Sequence, residues 1–92
     1  MQLSTSTTHA AAPLSKASMD AYAKDMRLFL AGGGQFPCDA RILRQYLFKH
    51  RTLSPGTLHR RMQAIRHAHV SQGLPTPTAD PKMVVVLRAL HR

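Results

Sequence analysis

Apolar residues in this chain recur at helical spacing in four separate stretches. Met19, Tyr22, Ala23, Met26, Phe29 and Leu30 share one face at about 100° per residue, which predicts a helix from about Lys16 to Ala31. Ser15 stands where an N-cap belongs. Gly32-Gly33-Gly34 ends the run, because three successive glycines lose too much backbone entropy to stay helical. Ile42, Leu43, Tyr46 and Leu47 then mark the buried side of a second helix, from Ala40 to about Arg51, with Asp39 as its cap. Its other side carries Arg41, Arg44, Gln45, Phe48 and Lys49.

Ser54-Pro55 pairs a capping side chain with a proline at the first helical position, a strong start signal. The third helix is expected to reach about Gln72, where Gly73 can end it in the left-handed conformation. LPTPT, residues 74–78, holds prolines too close together for a helix. Asp80-Pro81 repeats the cap-and-proline start, and a fourth helix runs to the chain end with Met83, Val84, Leu87 and Leu90 inward and Val85 outward. Residues 1–14 contain no Lys, Arg, Asp or Glu and show no period, so they read as a flexible tail ahead of a domain spanning 15–92. Strand alternation is missing throughout, and the expected fold class is all-α.

The third helix divides most sharply. With Leu58 at the origin of a helical wheel, Met62, Ile65 and His69 fall within roughly 40° of it. Arg66, His59, Gln63, His67 and Arg60 occupy the span from roughly 80° to 200°, away from the core. Arg61 lies at the edge, where its methylenes can pack while the guanidinium reaches outward. His69, on the apolar side, reads as a packed and hydrogen-bonded core histidine.

Charge gives that polar face a purpose. The 92 residues carry a formal net charge of +9, which points to a polyanionic partner. Between Ala40 and Ala79 stand Arg41, Arg44, Lys49, Arg51, Arg60, Arg61 and Arg66, with no acid among them. A merely solvated surface usually mixes both signs. Arginine forks two hydrogen bonds onto guanine or phosphate, and glutamine pairs with adenine edges. A helix fits the major groove of DNA but not the deep, narrow groove of A-form RNA, so duplex DNA is the expected partner. Aromatic platforms for single strands are scarce, since only Phe48 lies on a basic face.

Other chemistry is sparse. His67 and His69 lie about 200° apart on a helix, so they cannot share a metal ion. The glycine triplet lacks the Lys-Ser/Thr of a phosphate loop. Tyr22 and Tyr46 sit on core faces, and the four acids are too scattered for paired carboxylate catalysis. Neither catalytic residues, nor a metal site, nor a cofactor is expected, and the chain is not expected to be an enzyme. A membrane surface is disfavoured, because such a helix wants Lys with Trp or Leu whereas this chain holds nine Arg, four Lys and no Trp. Cys38 stands alone and cannot form an internal disulfide, which fits a reducing compartment.

The order of motifs resembles one family. AYAKDMRLFLA at 21–31, ILRQYL at 42–47 and the run LSPGTLHRRMQAIRHAHVSQGLPTPTADPKMVVVLRALHR at 53–92 are similar to the N-terminal core-binding domain of tyrosine recombinases, the phage integrase family. The resemblance implies a four- to five-helix SAM-like bundle of two crossed helical hairpins. It implies half of a clamp around duplex DNA, with the second and third helices in the major groove. It further implies a C-terminal catalytic domain as partner, other protomers on DNA, and a cytoplasmic, nucleoid-associated setting in a bacterium or phage. The chain stops at Arg92, where a catalytic domain would begin, and contains no H-x-x-R, so the expectation is a non-catalytic fragment. The expected DNA contacts are Arg41, Arg44, Lys49, Arg60, Gln63 and Arg66, then Thr57, His59 and His67. Two rival readings are a helical module for an acidic protein partner and a helix-turn-helix regulator.

Overall fold

The computed structural model describes residues 14–90, without the side chains of Val84 and Leu90. The expected tail, apart from Leu14, lies outside the described residues, as do the inward roles assigned to Val84 and Leu90. Four α-helices follow one another: α1 (Lys16–Ala31), α2 (Ala40–Lys49), α3 (Pro55–Val70) and α4 (Pro81–Leu90). A single 3-10 turn, Pro77–Ala79, precedes α4. No strand occurs among the described residues, and the domain is all-α.

Local chemistry sets the helix starts. The side chains of Ser15, Asp39 and Ser54 each accept a hydrogen bond from the backbone N–H three residues on, at 3.1, 2.8 and 3.2 Å. These bonds satisfy donors that a helix N-terminus leaves orphaned. Asp80 accepts from the Lys82 N–H at 2.8 Å and so supports the start of α4.

Two helix ends are shorter than the apolar pattern predicts. Helix α2 stops at Lys49, two residues before Arg51, as the His50 backbone leaves helical geometry (φ −106°, ψ 27°). The His50 ring instead meets the Gly32 carbonyl at 2.9 Å. Helix α3 ends at Val70, and the chain closes through Gln72 into Gly73 at φ +71°. The Leu74 and Gly73 N–H groups return to the carbonyls of His69 and Val70 at 2.9 and 3.0 Å, a Schellman closure.

Phe29, Leu43, Tyr46, Leu47, Leu58, Met62, Ile65 and Met83 make the core, joined by Cys38. Helix α1 packs chiefly on α3, while α2 packs against α4 and the 3-10 turn. The face α1 buries differs from the expected one. Met19 and Leu30 remain about half exposed, and the fully buried α1 side chains are Phe29 and Asp25. Ala64 and Ala68 of α3 are small, and α1 settles over them with Tyr22 and Met26 alongside. Beyond α1, the Gly34 N–H donates to the Phe29 carbonyl at 2.8 Å. A β-carbon at residue 34 would stand 2.5 Å from the Phe29 ring, so the glycine is required by close approach.

Candidate nucleic-acid interface

Helix α3 is held by its inward side chains, and these dictate where the cationic ones point. His69 is fully buried. Its Nδ1 donates to the Ile65 carbonyl at 2.7 Å and its Nε2 accepts the Cys38 N–H at 2.9 Å, which defines the tautomer. The Phe36 ring meets His69 edge-on, with centroids 4.7 Å apart. A histidine expected in the core thus pins the segment before α2 onto α3.

Arg61 overturns the expectation of an outward guanidinium. Its side chain is buried. Its Nε donates to Asp25 Oδ1 at 3.2 Å and its Nη1 to the Tyr46 hydroxyl at 2.6 Å. The cause is the docking of α1, which places the Asp25 carboxylate over the edge of α3 where Arg61 stands. Arg60 also reaches Asp25, with Nε 3.3 Å from Oδ2, but its side chain stays 57% exposed. The Nε bond leaves the terminal nitrogens of Arg60 at the surface in a fixed orientation.

The outward face of α3 falls into two edges. His59, Gln63 and Arg66 are exposed and line one groove of about 350 Å³. Met62, Leu87, Thr76, Thr78 and Ala79 complete its walls. Gln63 and His59 approach each other at 3.5 Å. Arg60 and His67 lie on the other edge, beside α1. The His67 ring is half-buried and stacks on Tyr22 at 5.2 Å, less outward than its wheel position predicts. Thr57 is half-buried, and its hydroxyl accepts from Ser54 at 2.8 Å, so it serves the cap of α3.

On α2, Arg41 and Lys49 are exposed and Arg44 is half-buried. The Lys49 amine donates to the Gly32 carbonyl at 3.3 Å and thereby lies over the glycine turn. No α2 side chain lines the groove of His59, Gln63 and Arg66. The structure therefore gathers three of the nine expected contacts into one cleft and distributes the others around it.

The hydroxyls of Thr76 and Thr78, 2.8 Å apart, were absent from the sequence-based set. Their signal was available, since small hydroxyl side chains alternating with prolines favour a tight turn that aims hydroxyls at a neighbour. Two of the acids pair with cations. Asp25 takes Arg60 and Arg61, and Asp20 takes Lys16 at 3.1 Å. The other two, Asp39 and Asp80, cap helix starts. Arg41, Arg44 and Arg66 have no carboxylate partner among the described residues. In the same range, no three His, Cys, Asp or Glu side chains converge as a metal site requires, and no helix is long and apolar enough to cross a membrane.

Fold and site together define an all-α domain with unneutralised cationic helix faces. No family model, curated protein or solved structure matches the chain.

Proposed function

We propose that this chain is a duplex-DNA-binding module of the tyrosine-recombinase core-binding type, which supplies affinity and some site preference to a separate catalytic domain. The observation that carries the reading is the exposed row His59, Gln63 and Arg66 on α3, with no carboxylate near Arg66. Arg66 and Gln63 supply the donor geometry that reads guanine and adenine edges in a major groove. Arg41, Arg44, Lys49 and Arg60 add phosphate contacts that set register without reading sequence. Thr57, His59 and His67 have secondary roles, and Thr57 acts through the helix cap. The SAM-like crossing of two helical hairpins belongs to the same reading, as does assembly with further protomers on DNA.

Fluorescence anisotropy with a labelled duplex tests it. If about five phosphates are neutralised, log affinity falls with log salt at a slope near −4 to −5. Arg66→Ala with Arg44→Ala is expected to weaken binding at least tenfold and to reduce the slope by about two. A salt-insensitive association, or equal binding by the double variant, overturns the reading.

A further inference from the structure

Phe48 is the large apolar side chain that the proposed DNA contacts leave without a role. It belongs to α2, yet it is not part of the core or of the half-buried residues packed on it. At 62% exposure it is the most open aromatic-bearing position on the cationic half of the chain. Surface apolar residues are common singly, so exposure alone says little. Its surroundings say more.

The guanidinium carbon of Arg51 lies 4.2 Å from the centre of the Phe48 ring. The Arg51 Nη1 also donates to the Phe48 carbonyl at 2.8 Å. Two contacts therefore hold one cation against one face of the ring. Arg44 precedes Phe48 by four residues and Arg41 by seven, so both share its side of α2. The result is a flat apolar surface, backed by a guanidinium and flanked by cations, with no acid anywhere from residue 40 to residue 79.

This chemistry fits a nucleobase carried on a phosphate backbone. Every base has a π-face, and base–aromatic stacking with arginine alongside is a recurrent mode of nucleic-acid binding. A protein or lipid surface would be expected to meet a contiguous apolar patch of several hundred Å². Helix α2 offers a single ring, since Phe48 is its one large hydrophobic side chain that is exposed. One ring matches one base.

We propose that Phe48, backed by Arg51, is a stacking platform for a single unstacked base of bound DNA, with Arg41 and Arg44 holding the phosphates beside it. The inference rests on the DNA-binding reading above. It adds that the domain favours DNA with a displaced base, such as a bulge or a kinked step, over a perfectly stacked duplex. A duplex already opened spares the protein the cost of unstacking.

The test compares a matched duplex with the same duplex carrying one bulged 2-aminopurine. The full chain is expected to bind the bulged duplex roughly five- to fiftyfold more tightly, and to quench 2-aminopurine fluorescence as the base stacks. Phe48→Ala and Phe48→Leu abolish the preference and the quenching but keep the matched-duplex affinity and salt slope. Phe48→Tyr retains both. Circular dichroism melting of each variant matches the parent, because Phe48 lies outside the core. If the parent binds the matched duplex in the expected salt-dependent way but shows no bulge preference, the platform is wrong and the DNA-binding reading stands. Equal loss on both duplexes in Phe48→Ala makes the ring a general contact and overturns the proposal. Failure of the parent to bind any DNA overturns both.

Discussion

Asp25 of α1 accepts a hydrogen bond from Arg61 of α3 at 3.2 Å, and neither side chain is more than 7% exposed. The pair ties the two most closely packed helices together at a point where each alone would be an unpaired buried charge. Arg61 is completed by the Tyr46 hydroxyl, which brings α2 into the same network. Arg60 occupies the second Asp25 oxygen from the solvent side.

Removing one partner of such a pair leaves the other charge buried without compensation, which typically costs about 3–5 kcal/mol. Asp25→Ala is therefore expected to lower the urea midpoint sharply, whereas Asp20→Ala, which breaks an exposed pair with Lys16, leaves it nearly unchanged. The double change Asp25→Leu with Arg61→Met restores much of the loss, since well-packed apolar residues often replace a buried ion pair at no cost. A double variant as unstable as Asp25→Ala would argue that the carboxylate has a further partner.

His69→Leu deletes the acceptor of the buried Cys38 N–H and the donor to Ile65 together. An orphaned buried backbone donor costs about 1–3 kcal/mol. Equilibrium unfolding should show that loss, and hydrogen exchange should show the Cys38 amide losing protection. Unchanged protection of that amide would mean the imidazole is not its acceptor.

Gly34→Ala places a methyl against the Phe29 ring, which is itself fully buried and cannot retreat. Overpacking of this kind costs about 1–3 kcal/mol. Gly56→Ala is the control, because nothing lies within 4 Å of a β-carbon there. Thermal melts of the two variants are expected to diverge, with only the first lowered.

Burial pushes the Cys38 thiol up to about 11, with the neighbouring Asp39 carboxylate adding to the effect. The thiolate is the reactive form, so iodoacetamide at pH 8 should modify the folded chain roughly a hundredfold more slowly than the unfolded one. The folded state holds this proton more tightly than the unfolded chain does. Its contribution to stability is therefore complete below the unfolded value near 9 and drains away as pH rises toward 11. Comparing alkaline unfolding of the parent and Cys38→Ala checks the sign: the parent loses more over that interval.

Much of the architecture was legible because its causes are local. Ser15, Asp39 and Ser54 cap the helices that follow them, each through a bond three residues along the chain. Gly73 takes the left-handed conformation expected of it, and His69 lies in the core, as its place beside Leu58, Met62 and Ile65 requires. The exposed row of His59, Gln63 and Arg66 also followed from helical spacing alone.

What a helical wheel leaves undecided is which neighbour covers each edge. Arg61 and Asp25 are distant in sequence, and both carry charge, so periodicity assigns each to solvent or a border. Only when α1 settles over Ala64 and Ala68 does the carboxylate come to lie above Arg61 and draw both side chains inward. The same docking half-buries His67 against Tyr22 and leaves Met19 and Leu30 exposed. The amino-acid order thus determined helix starts, helix ends and the surplus of positive charge, all of which arise within a few residues. Tertiary packing decided which cations face outward, because a guanidinium points to solvent or to a buried carboxylate according to what another helix brings beside it.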